Sequence, residues 1–345
     1  MSKTVSSIER ASEAERLVGY VRKFARRRIV VLGDLVADEF LYGDITRVSR
    51  EAPVLILDHR RTVAVPGGGA NTVANLRVLG AHPLPVGVIG KDESGRRLID
   101  AFKRIRVATG GLVAVEGYST PSKCRILAGG THTRRQQIVR VDRGSHRGEF
   151  SRPIRAALRR HLRGALRKAA GLLIADYGYG SASPALLEGI LGKLVERGVP
   201  VTVDSRSRIV EFRGVSACTP NQEELEQALG LESIPDEEIA QAGRLLLRRS
   251  ANRAVLVTRG AKGMVLFQRR RPPLLIPAYG TDEVADVTGA GDTVIAAFTL
   301  ALIAGADHAD AARLANYAAG IVVTKAGTAT MTRDELVRAI RKDLE

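Results

Sequence analysis

The sequence contains no tryptophan, and aromatic residues make up only 4% of its 345 residues. Proteins that bind single-stranded nucleic acids stack bases on aromatic side chains, so this class is not favoured. The two cysteines, Cys124 and Cys218, lie far apart and form neither a disulfide framework nor a CxxC site. The six histidines form no HxxxH or HExxH pair, which argues against a zinc site.

Long apolar runs are also missing. No stretch approaches the ~20 apolar residues that a transmembrane helix needs. The N-terminal residues, MSKTVSSIERASEAERLV, have charges where a signal peptide would have an apolar core. We therefore expect a cytoplasmic protein. Its 345 residues are enough for one large α/β domain or two small ones.

Positive charge is abundant, and the formal net charge is +16. The densest run is RPIRAALRRHLRGALRK (152–168), in which arginines three or four residues apart share one face of a helix. This face is either a phosphate or partner patch or, more commonly for such runs, a solvated helix surface. Nucleic acid is an unfavoured partner, because no helix-turn-helix, zinc finger or aromatic RNA-binding pattern is present.

Short apolar runs alternate with helical patterns along most of the chain, which predicts a doubly wound, mostly parallel α/β sheet. Several runs end in polar residues that should meet at one edge of this sheet, namely Asp34, Asp176, Asp204 and Thr258. Residues 36–65 and 110–142 instead alternate with period two, which predicts a small antiparallel β lid over that edge. The expected organisation is a helical extension, 1–27, and a main domain, 28–345.

The stretch DVTGAGD (286–292) precedes an apolar helical run. Its glycines permit a turn that points backbone N–H groups at an anion near a helix N-terminus. Asp292 then has two interpretations: a base that accepts the proton of a hydroxyl attacking a phosphate, or a simple helix cap. No GxxxxGK[ST] motif is present, so this would not be a P-loop protein.

Two further motifs have equally open interpretations. PGGGAN (66–71) is either a loop that lets a ligand contact backbone or a plain glycine loop capped by Asn71. In TPNQEELEQ (219–227), Asn221 and Glu224 either approach a Mg²⁺–phosphate group together or form a capping box.

In this order, the motifs PGGGAN, NQEE (221–224), TRG (258–260) and DVTGAGD resemble those of the ribokinase-like (PfkB) carbohydrate kinases. Within that family the chain is most similar to D-glycero-D-manno-heptose 7-phosphate kinases, including the kinase half of the bifunctional heptose kinase/adenylyltransferase. The stretches SREAP (49–53) and QQIVRVD (136–142) are typical of this subgroup. The resemblance implies phosphorylation of the heptose phosphate at O1, in the ADP-heptose pathway, with ATP, Mg²⁺ and a possible K⁺ site.

The resemblance also implies roles for single residues. Asp292 would deprotonate the sugar hydroxyl, and the backbone of Gly289, Ala290 and Gly291 would form an anion hole. Asn221 and Glu224 would organise Mg²⁺ and the nucleotide phosphates. The nucleotide site would be lined by Thr258, Gly260 and Asn316. The expected substrate-binding residues are Asp34, Asp38, Gly68, Asn71, Lys123, Arg125, Arg140, Asp176 and Arg206. The monovalent-cation loop would contain Asp286, Thr288, Val322, Lys325 and Gly327.

The chain departs from the subgroup where the sugar phosphate would bind. Tyr179 replaces the usual lysine after Asp-Tyr-Ala, and Arg206 replaces a lysine at the next strand end. Arginine keeps the charge but is not a neutral exchange for lysine. Alternative functions are therefore a kinase of another sugar, such as fructose 1-phosphate or ribose, and a catalytically silent sugar- or nucleotide-binding regulator. Because members of the family often dimerise through the lid, a homodimer is expected.

Overall fold

The computed structural model describes residues 2–129, 135–144, 148–280 and 285–345. The strands are β1 Arg28–Gly33, β2 Leu35–Val48, β3 Leu55–Gly68, β4 His82–Gly90, β5 Leu112–Val115, β6 Ser122–Gly129, β7 Gln136–Arg143, β8 Gly171–Asp176, β9 Val201–Ser205, β10 Ala217–Cys218, β11 Ala254–Thr258, β12 Met264–Gln268 and β13 Leu274–Ile276. The α-helices are α1 Ser2–Arg22, α2 Gly69–Val78, α3 Glu93–Arg104, α4 Arg152–Leu166, α5 Leu191–Glu196, α6 Gln222–Leu229, α7 Ile239–Ser250, α8 Ala290–Ile303, α9 His308–Val322 and α10 Arg333–Leu344.

A large sheet forms the centre, in the order β13-β12-β11-β10-β9-β8-β1-β4-β5. Seven neighbouring strands of this sheet, β5, β4, β1, β8, β9, β10 and β11, pair in parallel. Strands β12 and β13 add an antiparallel edge. Parallel pairing places the carboxyl ends of the seven strands along one edge. The predicted doubly wound α/β fold is confirmed.

Helices cover both faces of this sheet, which explains why its strands are continuous apolar runs. In β1, Ile29 and Val31 pack into one core, while Val30 and Leu32 pack into the core on the other face. The first core contains residues of α1, α2, α3, α8, α9 and α10, and the second contains residues of α4, α5, α6 and α7. With both faces apolar, the charged side chains of these strands lie at the strand ends.

The smaller sheet has the order β3-β2-β6-β7. Its outer pairs are antiparallel, but the central pair of β2 and β6 is parallel, so the sheet is mixed rather than wholly antiparallel as expected. The reason is that β2 and β6 both leave the large sheet's edge in the same direction: β2 follows β1 after one residue. This continuation carries Asp38 past the strand ends.

The predicted second lid region, 110–142, begins too early. Leu112–Val115 is β5, which pairs with β4 at the edge of the large sheet. Its partly buried side chains Leu112 and Val113 pack against the two cores, so the apolar strand extends the main sheet instead of the lid. Residues 130–134 of the predicted region lie outside the described residues.

Helix α1 packs on the rest of the chain through Leu17, Val18 and Val21, which are buried. Arg16 forms an ion pair with Asp310 of α9 at 2.8 Å. The division into an extension, 1–27, and a main domain stays a prediction. None of the helices in the described part of the chain combines the length and the apolar character that a membrane span needs.

Two helical glycines give opposite expectations for stability. A Cβ added at Gly243 in α7 would overlap the buried ring of Phe267, whereas one at Gly164 in α4 would meet no atom within 4 Å. We expect Gly243→Ala to lower the free energy of unfolding by about 1–3 kcal/mol through overpacking. Gly164→Ala should raise it by up to about 1 kcal/mol, because alanine favours the helix. Urea unfolding of both variants measures the difference, and stabilisation by both would contradict the close contact at Gly243.

Candidate active site

A cavity of about 300 Å³ lies at the carboxyl edge of the large sheet. The strand ends contribute Asp204 and Thr258, and the smaller sheet contributes Asp38, Lys123 and Arg125. The remaining wall includes the turn that precedes α8. The cavity therefore forms where the two sheets and a helix N-terminus meet, which is the usual ligand site of an open α/β sheet.

The glycine turn places Asp292 in this cavity. Gly289 is the N-cap of α8, with φ 78° in the left-handed region that favours glycine. A Cβ there would also overlap the side-chain amide of Asn71. Asp292 is the third helical residue and not the cap, so the simple capping interpretation is wrong. Among the described residues, the N–H of Gly291 donates to no backbone carbonyl, and Gly291 lines the cavity.

Three side chains hold the carboxylate of Asp292, which is 5% exposed. Asn71 Nδ2 donates to Oδ2 at 2.8 Å, Thr72 Oγ1 donates to Oδ1 at 3.2 Å, and the hydroxyl of Tyr177 also donates to Oδ1. Burial raises the pKa of Asp292 to about 6, although the three hydrogen bonds oppose the rise. The carboxylate is thus ionised at neutral pH with a pKa suited to a general base.

Three cationic side chains line the same cavity. Lys123 and Arg125 are two residues apart on β6 and so share the face towards the cavity, and Arg206 follows β9. Arg125 pairs with Asp38 at 2.9 Å. Burial, and then the neighbouring Arg206, lower the pKa of Lys123. This excess of positive charge around Lys123 is suited to an anionic ligand.

Carboxylates also line the cavity. Asn221 and Glu224 form the capping box of α6: Glu224 Oε2 accepts the N–H of Asn221 at 2.9 Å, and Asn221 Oδ1 accepts the N–H of Glu224 at 2.8 Å. Both residues also line the cavity, so neither interpretation excludes the other. Burial, and then the charge of Glu224, raise the pKa of Asp204 well above its usual value. Burial likewise raises the pKa of Glu224.

Two aspartates expected to bind substrate have internal partners instead. Asp34 Oδ2 accepts the N–H groups of Tyr177 and Tyr179, both at 2.9 Å, and Oδ1 accepts that of Ser181 at 2.8 Å. Asp176 receives both Arg208, at 2.6 and 3.1 Å, and the hydroxyl of Ser205. Each aspartate is 1% exposed. They hold the loops around the cavity but are not among its described lining residues.

The other predicted residues outside the cation loop that are not among the described lining residues are Asn71, which holds Asp292, and Ala290, Arg140, Gly260 and Asn316. The N–H of Ala290 donates to the carbonyl of Val287 at 3.2 Å, so it is not open to an anion as predicted. Arg140 is exposed on β7 and pairs with Asp142 at 2.8 Å. Gly260 begins a short 3-10 helix after β11. Asn316 of α9 donates to the carbonyl of Pro277 at 2.8 Å and lines a separate groove. Of the predicted residues, those that line the cavity are Asp38, Gly68, Lys123, Arg125, Arg206, Asn221, Glu224, Thr258, Thr288, Gly289, Gly291 and Asp292.

The residues of the expected cation loop are close together. Asp286 Oδ1 accepts the N–H of Thr288 at 2.9 Å, and Oδ2 accepts that of Gly327 at 3.0 Å. Burial alone would raise the pKa of Asp286, but the hydrogen bonds from Thr288 and Gly327 have the larger combined effect, so the pKa is lower than usual. The carbonyl of Val322 accepts the N–H of Lys325 at 3.0 Å. Whether the loop binds a cation stays a prediction.

Sequence reasoning missed several residues of the site. Tyr177 directly follows a predicted strand end, so its position was a usable signal. Thr72 follows the PGGGAN motif in the same way. Arg208 carried no such signal, because its partner Asp176 is 32 residues away and the pairing depends on the fold.

An ionisable carboxylate at a glycine-lined helix N-terminus, facing clustered cations, is the arrangement of a phosphotransferase. The family comparison agrees: the chain matches the description "pfkB family carbohydrate kinase" over residues 26–335. The chain therefore belongs to the pfkB family of carbohydrate kinases, which use ATP to phosphorylate sugars. The resemblance noted from the motifs is confirmed.

Individual relatives support this family. The bifunctional protein HldE of Mesorhizobium japonicum is 39% identical over 329 residues, which are 93% of this chain and 63% of the relative. HldE of Geobacter sulfurreducens is 38% identical over 312 residues, or 90% and 62%. The chain thus spans less than two thirds of the length of these curated relatives.

Solved structures show the same fold at low identity. Arabidopsis thaliana ribokinase, in complex with ribose and ATP, has a TM-score of 0.68 and 22% identity, covering 92% of this chain and 99% of the ribokinase. Phosphofructokinase-2 of Escherichia coli, in complex with substrates and products, has a TM-score of 0.71 and 17% identity, with coverages of 92% and 99%.

The hydrogen bonds that Asp34 accepts from three backbone N–H groups indicate that this residue stabilises the folded protein. Asn in its place would turn an NH₂ group towards backbone N–H donors, so at least one hydrogen bond would be lost. We expect Asp34→Asn to lower the free energy of unfolding by about 1–3 kcal/mol. Asp58→Asn, at an exposed aspartate of β3, is the control and should be near neutral. Denaturant unfolding of the two variants checks this, and equal stabilities would contradict it.

Proposed function

We propose that this chain transfers the γ-phosphoryl group of ATP to O1 of D-glycero-D-manno-heptose 7-phosphate, which yields the 1,7-bisphosphate. The observation that carries the proposal is the buried Asp292 carboxylate at the glycine turn, within the cation-lined cavity. The heptose substrate rests on the subgroup motifs and on the HldE relatives. The cations that line the cavity also support it.

The chain's own residues account for the transfer step. Asp292 takes the proton of the sugar hydroxyl as the new oxygen–phosphorus bond forms and the bond from the γ-phosphorus to ADP breaks. The open N–H of Gly291, at the positive end of the α8 dipole, is placed to stabilise charge on the phosphoryl oxygens. Gly289 contributes by allowing the backbone to turn there. Positioning and electrostatics, rather than covalent catalysis, drive the reaction.

The cations support a phosphorylated substrate. Lys123 and Arg206 lie together in the cavity, and their mutual repulsion would be relieved by a phosphate group. A neutral sugar such as ribose offers no such charge. Tyr179, which stands where the subgroup has lysine, lines an adjoining cavity of about 520 Å³ together with Arg206 and Arg208. Arg206, which stands in place of a second lysine of the subgroup, keeps a positive charge beside this cavity, whereas Arg208 is paired with Asp176.

The donor set fits a hydrated Mg²⁺ ion. Burial and then the charge of Glu224 raise the pKa of Asp204, and burial is the largest cause of the raised pKa of Glu224. Two such carboxylates in one cavity are groups that a divalent cation would stabilise. Asn221 and Glu224 would hold the ion through water, as Mg²⁺ prefers. When bound, it neutralises charge on the ATP phosphates. Thr258, with Gly260 and Asn316 further away, is proposed for the nucleotide, and the loop of Asp286 for K⁺.

A homodimer through the smaller sheet is part of the proposal. The sheet exposes apolar side chains that a second copy would cover, among them Val48 at 56% and Val139 at 47% exposure. Both outer strands also leave one edge unpaired within the described residues. The proposed setting is the cytoplasm, where ATP is available.

The substrate is tested by ADP release with Mg-ATP and K⁺ against a sugar panel. The panel contains D-glycero-D-manno-heptose 7-phosphate, sedoheptulose 7-phosphate, fructose 1- and 6-phosphates, and ribose. We expect turnover with the heptose phosphate alone. Turnover of another sugar would agree with the kinase activity but contradict the proposed heptose substrate. No turnover of any sugar would favour the alternative of a catalytically silent regulator. Asp292→Asn is the control and should lower kcat by about 10²–10⁴-fold, the range for loss of a general base.

The dimer is tested by analytical ultracentrifugation of the purified chain. The chain itself should sediment as a dimer, and Val139→Glu on the smaller sheet should sediment as a monomer, because it buries a charge in the interface. Leu275→Glu is the matched control: Leu275 is 70% exposed but lies on β13, at the far edge of the large sheet. A monomeric parent chain, or equal effects of the two changes, would contradict this interface.

A further inference from the structure

The hydroxyl of Tyr177 touches the proposed base directly. It donates to Asp292 Oδ1, the same oxygen that accepts from Thr72 Oγ1 at 3.2 Å. The other oxygen, Oδ2, accepts only from Asn71 Nδ2, at 2.8 Å, among the described residues. The two carboxylate oxygens of Asp292 are therefore not equivalent.

Counting lone pairs identifies the oxygen that is free to react. An ionised carboxylate has about four acceptor positions, two on each oxygen. Tyr177 and Thr72 together fill those of Oδ1, whereas Asn71 fills one of the two on Oδ2. One position on Oδ2 remains for an incoming hydroxyl.

We propose that Tyr177 is a positioning residue for the phosphoryl transfer: it occupies Oδ1, stabilises the charged carboxylate, and leaves Oδ2 to take the proton of the sugar hydroxyl. This inference rests on the proposed function of Asp292 as the base. Tyr177 itself keeps its proton throughout.

The surroundings of Tyr177 show how it is held in place. Its backbone N–H donates to Asp34 Oδ2 at 2.9 Å, within the loop that Asp34 anchors. On the cavity side, the guanidinium carbon of Arg206 lies 4.9 Å from the centre of its ring, a cation–π distance. Anchored backbone and covered ring leave the hydroxyl little freedom. The buried Asp34 thus acts on the base through Tyr177.

Electrostatics support the same role. Burial raises the pKa of Asp292, and of the three hydrogen bonds that oppose this, the bond from Tyr177 is the strongest influence. Burial also raises the pKa of Tyr177 itself well above its usual value, so the phenol stays a donor. The other charged groups that face Asp292 across the cavity are Asp38, Lys123, Arg125, Asp204, Arg206 and Glu224.

The first test is the pH profile of kcat/KM in Tyr177→Phe, which removes one oxygen and keeps the ring. The pH at which kcat/KM reaches half of its maximum on the acid side is near 6, as set by Asp292, and should shift upwards by about one pH unit in this variant. The ionised form dominates above the pKa, so kcat/KM should fall roughly threefold at about pH 6.5 and hardly at about pH 8.5. Tyr179→Phe, on the same loop but without contact to Asp292, is the matched control. An unmoved acid limb in Tyr177→Phe, or an equal shift in Tyr179→Phe, would overturn the proposal.

A second test needs no sugar, so it separates this inference from the proposed substrate. The side-chain carboxyl carbons of ¹³C-labelled aspartate are titrated by NMR, with Asp292→Asn assigning the signal. The titration midpoint of Asp292 should rise in Tyr177→Phe and stay in place in Tyr179→Phe. Site-specific 3-fluorotyrosine at position 177 keeps the shape with a stronger donor and should lower the midpoint. This variant decides the question even if Tyr177→Phe does not fold, and an unchanged midpoint would overturn the proposal.

Discussion

A parallel sheet covered by helices on both faces admits charged side chains only at the ends of its strands, and this constraint places Asp34, Asp176 and Asp204 at one edge. Each buried carboxylate there needs a partner. Asp34 obtains backbone N–H groups and Asp176 obtains Arg208, so both become part of the framework. Asp204 and Asp292 face the cavity instead, and their raised pKa values follow from their burial. The carboxylates that hold the framework and that of Asp204 in the cavity thus have a common origin: the restriction of charged side chains to the edge of the sheet.

The framework and the reactive group are linked by short connections. β2 follows β1 after one residue, so Asp38 is carried directly from the sheet edge to the smaller sheet, where it pairs with Arg125 of β6. The loop after β8 is held by Asp34, and α8 begins at the glycine turn beside Asn71. Most residues that line the cavity therefore lie on a strand or helix or within three residues of one, and Thr328, between α9 and α10, is the exception. Little of it depends on long loops.

The sequence was sufficient for features that depend on local pattern. The parallel sheet follows from apolar runs that alternate with helices, and the family follows from four motifs whose order is preserved. It was insufficient where partners are distant: nothing in the pattern around Asp176 indicates Arg208, and nothing near Asp34 indicates its three donors. The parallel pairing of β2 with β6 likewise depends on strand directions in space. Asn221 and Glu224 show a third case, since a capping box and a lining position coexist.

The wall formed by Tyr177 and Arg206 borders both the cavity of Asp292 and its larger neighbour. One side of this wall contacts the proposed base, and the other shapes the space available to the rest of a bound sugar. A substitution that enlarges or narrows that space therefore also disturbs the hydrogen bonding of Asp292. Under the proposed function, substrate range and catalytic rate would be coupled through this pair of side chains, so adaptation of this scaffold to a new sugar would require compensating changes on both sides of the wall.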